Sequence, residues 1–224
     1  RMNKKPENLD QLLDYCDTLM LDMEGTLLDL AYDNYMWMEH IPAAYAKENN
    51  VSEDHARDHL YATFKRLEGK LNWYCLDHWS NELDLDVVAL HREQNGKIGF
   101  LPGARAFLEA VKDHHVRVLL VTNSHQHTLD IKTEVTDIVD FVDDVYTSHA
   151  LGHAKEDQPF WQELEREEGF DKAKTVFVDD NVAVLQSARD FGVEMLLHIT
   201  RPDTRHPEKP HDDFTGIKGV GELI

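Results

Sequence analysis

The sequence predicts a doubly wound α/β fold, a parallel sheet with helices on both faces, carrying one helical insertion. Three observations lead there. Short runs rich in Val, Leu, Ile and Phe recur without polar alternation, as strands buried on both faces require. Amphipathic helical patterns separate most of these runs, and that alternation builds parallel sheets. One interval, roughly residues 30–99, breaks the rhythm and shows only helical spacing.

In chain order, the segment Arg1–Asp10 is polar and unlike a signal peptide. Thr18–Leu21 is the first strand. In the interval that follows, Ala56, Leu60, Phe64 and Leu67 share a helix face that ends at Gly69, and Leu71, Cys75 and Trp79 repeat at four-residue steps. Pro102-Gly103 introduces a helix carrying Phe107, Leu108 and Val111. Further strands are expected at Val116–Val121, Val142–Tyr146, Thr175–Val178 and Val193–Ile199. Between them, Phe160, Trp161 and Leu164 mark one helix. Val184, Leu185, Ala188 and Phe191 mark another, which stops at Gly192. Arg201–Phe214 holds three of the seven prolines and reads as an extended surface loop. The division is therefore residues 1–30 plus 98–224 as an α/β core, with 31–97 inserted after the first strand.

The chain has 224 residues, 42% of them apolar, enough for a core. Acidic residues outnumber basic ones 43 to 23, for a net charge of −20. That balance argues against nucleic-acid polymers as partners, since binding a phosphate backbone relies on surplus Lys and Arg. No apolar stretch is long enough to span a membrane. Two cysteines, Cys16 and Cys75, make neither a disulfide framework nor a C-x-x-C metal motif, and a cytoplasmic location is expected.

Four polar clusters follow the predicted strands: Asp22-Met23-Glu24-Gly25-Thr26, Thr122-Asn123-Ser124, Lys155 in Gly152-His153-Ala154-Lys155, and Asp179-Asp180-Asn181. Each alone has an ordinary reading, as a polar turn, a helix cap or a solvated charge. Ligands in open parallel sheets bind beyond the carboxyl ends of the strands, and all four clusters lie there. Together they offer a nucleophilic carboxylate, a second acid for proton transfer, hydroxyl and amide donors, a fixed cation and further acids for Mg²⁺. Phosphoryl transfer uses that set of groups.

The first cluster resembles the first motif of the haloacid dehalogenase (HAD) superfamily of phosphohydrolases. Thr122 resembles its second motif, Lys155 its third, and Asp179-Asp180 its fourth. The insertion falls where that superfamily carries a cap domain on its Rossmann-like core. More narrowly, Leu27–Trp37, Leu71–Trp79 and Gly152–Gln158 are similar to segments of bacterial GMP/IMP nucleotidases. The resemblance implies hydrolysis of purine nucleoside 5′-monophosphates, with Asp22 as nucleophile and Glu24 as acid and base. Thr122, Asn123 and Lys155 would hold the phosphoryl group. Mg²⁺ would lie at Asp22, Asp179, Asp180 and the Glu24 carbonyl. Glu24 departs from the pattern, which places aspartate there; the extra methylene moves the carboxyl by over ~1 Å.

Trp73, Tyr74, His78 and Trp79 are candidates to meet a purine, although aromatic residues at helical spacing also build cores. Lys70 could meet a phosphate or simply face solvent. His125-x-His127 and the His149/His153 pair suggest a transition-metal site but show no third ligand nearby in sequence. Three alternatives stay open: a capped phosphatase or phosphomutase acting on a sugar or small-acid phosphate, a weakly active nucleotide-binding relative, and a receiver-like phospho-acceptor. The last fits poorly, because its paired acids come early and it has no long helical insertion.

Overall fold

The computed structural model describes residues 4–14 and 16–224. Its elements in chain order begin with α1 (Leu9–Leu13), β1 (Thr18–Leu21), α2 (Ala31–Tyr35), α3 (Ile41–Asn49), α4 (Glu53–Lys65), α5 (Leu76–Leu83) and α6 (Val87–Glu93). They continue with α7 (Ala104–Val111), β2 (Arg117–Thr122), α8 (Gln126–Val135), β3 (Asp144–Thr147), α9 (Ser148–Leu151) and α10 (Gln158–Glu168). The last are β4 (Thr175–Asp179), α11 (Val182–Phe191), β5 (Met195–Ile199) and β6 (Gly216–Ile217).

Among the described residues, six strands form one sheet in the order β3-β2-β1-β4-β5-β6, and every pairing is parallel. The α/β expectation is met. Because side chains alternate across a strand, β1 sends Leu19 and Leu21 into the core beneath α1 and α7, and Met20 into the core beneath α10 and α11. Val176 and Val178 of β4 share the first core, Phe177 the second. Strand order reverses at β1, where ligands of such sheets bind, so Asp22 and Asp179 emerge side by side.

Between β1 and β2 the chain is helical. Tyr32, Met36, Ile41, Leu60, Leu76, Trp79, Leu83 and Val87 form a third core. Both of its linkers are stitched together: Leu28 bridges Phe100, and Asp29 N–H donates to Gly99 O at 2.8 Å.

Four details differ from the sequence reading. The four-residue repeat of Leu71, Cys75 and Trp79 spans two elements; Leu71–Tyr74 is a 3-10 turn, and Cys75, in an extended conformation, caps α5. His149 and His153 do not share a helix, since α9 ends at Gly152 with φ +80°. The Arg201–Phe214 segment has no regular element, yet it buries Asp203 and Phe214. Asp203 accepts from Asn34 Nδ2 at 2.9 Å, fastening this loop to the insertion. Helix α1 and strand β6 were not expected, because five and two residues are too short to show a period. Among the described residues no helix is long and apolar enough to cross a membrane.

Candidate active site

Asp22 leaves the end of β1 and is 7% exposed. Its Oδ1 accepts from Lys155 Nζ at 2.9 Å. The same ammonium donates to Asp179 Oδ2 at 2.8 Å and to Val121 O at 2.9 Å, which uses all three of its donors. Burial opposes the lysine charge, but Asp179 and Asp22 outweigh burial and hold the ammonium above its ordinary pKa. Trp161 Nε1–H donates to Lys155 O at 2.9 Å, and Lys155 N–H donates to Asn123 Oδ1 at 2.8 Å, which fixes the lysine backbone.

Asp22, Asp179 and Asp180 each bring a carboxylate oxygen within 4.8 Å of the others. One ammonium cannot balance three acids, two of them buried and the third half-buried. Burial and the Asp179 charge push Asp22 up to about 6, against the pull of Lys155. Burial, then Asp22 and Asp179, hold Asp180 well above the carboxylate range. This surplus of negative charge on converging hard oxygens fits a divalent cation. Gly25 brings the backbone against the cluster. Its φ is +82°, and a Cβ there would lie 2.6 Å from Asp180 Oδ2.

Thr122, at the end of β2, is buried, and its Oγ1 accepts from Ser124 N–H at 3.0 Å. Glu24 turns toward α8. Its Oε1 accepts from Ser124 Oγ–H and lies 3.2 Å from Lys132 Nζ. Lys132, 1% exposed, also donates to Asp33 Oδ1 at 2.6 Å. Burial raises the Glu24 pKa, but Lys132 and the Ser124 hydroxyl bring it below its usual value. Asp33 takes the opposite course, pushed up to about 8 by burial and the Glu24 charge. Of the pair, Asp33 is therefore the carboxyl that holds a proton more readily, and Glu24 the one that gives it up.

The sequence reading missed Lys132 and Asp33. A signal existed: Lys132 lies three and four residues after Leu129 and Thr128, on the buried stripe of α8.

A cavity of about 580 Å³ lies over these groups, between the sheet and the insertion. The sheet side contributes Asp22, Glu24, Thr122, Asn123, Lys155, Asp179 and Asp180. The insertion contributes Trp37, Tyr61, Phe64, Trp73, Tyr74 and Trp79. Trp79 is 1% exposed and ties its Nε1–H to Trp73 O, so it belongs mainly to the insertion core. Tyr61 is 61% exposed at the mouth. Tyr74 O–H donates to Glu156 Oε2 at 2.5 Å, and Asn123 Nδ2 donates to the other oxygen of that carboxylate at 2.7 Å, joining insertion to core. His78 and Lys70 do not line the cavity. His78 packs edge-on against Trp79 and Lys70 is exposed.

The haloacid dehalogenase-like hydrolase family model matches residues 16–192. The chain belongs to that family. It is a phosphoric monoester hydrolase, and hydrolases of this family generally use a divalent metal. The hydrolase is 36% identical over 208 residues to the GMP/IMP nucleotidase YrfG of Escherichia coli (strain K12), covering 93% of this chain and 94% of the relative. The homonymous protein of Shigella flexneri matches to the same extent. Among solved structures, the fold is similar to a HAD phosphatase from Thermococcus onnurineus, with TM-score 0.76, 19% identity, and 92% and 95% of the two chains covered. It is also similar to CbbY from Rhodobacter sphaeroides, with TM-score 0.60, 12% identity, and 93% and 96% covered.

Proposed function

We propose that this hydrolase is a Mg²⁺-dependent 5′-nucleotidase of purine nucleoside monophosphates, working through a phosphoryl group carried on Asp22. The observation that carries the reading is the placement of Asp22, Lys155, Asp179 and Asp180 at the floor of a cavity with an aromatic far wall. The near full-length likeness to a GMP/IMP nucleotidase supports the choice of substrate.

In this reading, Asp22 attacks phosphorus and the bond to the nucleoside 5′-oxygen breaks, leaving an aspartyl-phosphate. Thr122 and the Asn123 backbone hold phosphoryl oxygens, and Lys155 offsets their charge. Asp22, Asp179, Asp180 and the Glu24 carbonyl would hold Mg²⁺, which would supply charge neutralisation on the phosphoryl group. The leaving oxygen needs a proton, and the Asp33–Glu24 pair holds one. Asp33 passes that proton to the ionised Glu24, which delivers it to the leaving nucleoside oxygen. Glu24 then takes a proton from water, whose oxygen displaces Asp22 and releases phosphate. The insertion acts as the cap: Tyr61 and Trp73 offer faces to the base, and the cap excludes bulk water from the phosphate.

The test is phosphate release from GMP, IMP and AMP against sugar phosphates and phosphoglycolate, with Mg²⁺ and with EDTA. Turnover of GMP and IMP that leads the panel and stops in EDTA is expected. A faster sugar phosphate would assign the site to another capped phosphatase, and retention of phosphate in an isomerised product would assign it to a mutase.

A further inference from the structure

A second group of metal-ligating side chains lies where the insertion meets the sheet, apart from the acidic floor. Cys75, at the start of α5, brings its Sγ within 4.8 Å of one ring nitrogen each from His125 and His149. His125 caps α8 and His149 lies on α9, so the three come from separate elements. Asp77, on the first turn of α5, forms an overlapping triad with His125 and His127 within the same 4.8 Å limit. Its Oδ2 is 3.7 Å from His125 Nε2, and its Oδ1 is 3.1 Å from His127 Nε2.

The internal hydrogen bonds suit coordination. His149 Nε2 is sealed from solvent with no hydrogen-bond partner among the described residues, a costly state for a ring nitrogen. Its Nδ1 is 3.4 Å from Ser148 Oγ, whose own proton goes to Asn123 O at 2.9 Å; Nδ1–H is therefore the donor, and the Nε2 lone pair faces inward. Cys75 Sγ accepts one contact, from His78 N–H at 3.4 Å. His125 Nδ1 accepts a long 3.4 Å contact from His127 N–H, and coordination through Nε2 gives up little by losing it.

We propose that Cys75, His125, His149 and Asp77 form a four-ligand site for a zinc-class divalent ion that staples the insertion to the sheet. One thiolate, two imidazoles and one carboxylate is a borderline-soft set suited to Zn²⁺, whereas Mg²⁺ takes oxygen ligands. On binding, the Cys75 thiol gives its proton to solvent and its sulfur bonds to the ion, with no change of oxidation state. His127, against Asp77 Oδ1, orients that carboxylate from outside the ligand shell. The site is independent of the proposed substrate.

The test uses the full chain, with Zn²⁺ alone as probe against excess Mg²⁺, read by equilibrium dialysis and metal analysis. One Zn²⁺ per chain is expected. Asp180→Asn should retain it, and Cys75→Ala and His149→Ala should each bind at least ~10-fold more weakly. Co²⁺ added to the unaltered protein should give a thiolate-to-cobalt charge-transfer band with tetrahedral d–d bands, a readout that needs no variant to fold. A cobalt spectrum without the thiolate band overturns the proposal. So does Zn²⁺ bound at the carboxylate floor only, seen as binding lost in Asp180→Asn and kept in Cys75→Ala.

Discussion

Shortening Glu24 to aspartate restores the usual residue of the family's first motif, yet Glu24→Asp should slow this enzyme. The glutamate carboxylate is not displaced into empty space. It reaches Ser124 Oγ and lies 3.2 Å from Lys132 Nζ. Removing one methylene retracts it by roughly 1.5 Å, which widens the Lys132 pair to about 4.7 Å. At an effective dielectric of about 20, the attraction falls from about 5 to about 3.5 kcal/mol. The retracted group also leaves the Asp33 proton and the Ser124 hydroxyl behind. A displacement of that size costs on the order of 10²-fold when it misplaces a proton donor. Steady-state phosphate release from GMP, measured from pH 5 to 9, should show kcat reduced ~10- to 100-fold with a smaller change in KM. A Glu24→Asp protein faster than the parent would refute the reasoning and mark Glu24 as an impairment.

Other expectations follow from the same geometry. Asp22→Asn should abolish turnover while leaving the protein folded. In metal-free buffer at pH 7 its urea midpoint should rise, by about 1–2 kcal/mol of stability, because folding lifts the Asp22 pKa to about 6 and an ionised Asp22 opposes folding above that pH; a lower midpoint would contradict this crowding. Gly25→Ala should cost about 1–2 kcal/mol from its left-handed backbone, and it should weaken Mg²⁺ activation at least tenfold by pushing on Asp180. An unchanged Mg²⁺ titration would dissociate Asp180 from the metal. His91 lies 1% exposed in the insertion core, and burial pushes it down to about 4. Its neutral form costs nothing above pH 6.5, but stability falls by about 3 kcal/mol as pH drops from 6.5 to 4. His91→Gln should flatten that part of the stability–pH curve, and parallel curves would exclude the residue.

The sequence disclosed those parts of the molecule that depend on local pattern. β1, β2, β4 and β5 were legible because both faces are buried, so each appears as an unbroken apolar run. β3 was placed two residues early, since its first three positions are exposed or half-buried at the sheet edge. Asp22, Thr122, Asp179 and Asp180 could be picked out because polar residues directly after an apolar run stand out, whereas Lys155, farther past its strand, drew weight only from the set. Contacts made at long range left no such mark. Lys132 meets Asp33 across 99 residues of chain, and in sequence it is one lysine on an amphipathic helix. The His125-x-His127 pattern was visible, but Cys75 joins it only because the insertion folds back over α8 and α9. The cavity wall was legible only in part. Trp73, Tyr74 and Trp79 line the cavity, whereas His78 packs on Trp79 outside it, and Tyr61 of α4 lines it without having stood out in the sequence.

The stitched linkers have a consequence for how such molecules diversify. The insertion leaves the core at Asp29 and returns at Gly99, and those two residues are joined by one hydrogen bond of 2.8 Å. Its ends thus occupy nearly one point, so a helical module of different length or shape can be exchanged there without moving any strand of the sheet. The loop just before that point is not neutral ground: Glu24 bridges Leu28, and Gly25 N–H donates to Leu28 O at 2.7 Å. Any replacement module inherits a joint built from the same few residues that hold Glu24 at the cavity. Grafted modules should therefore change which molecule is accepted while the underlying chemistry is handed on intact.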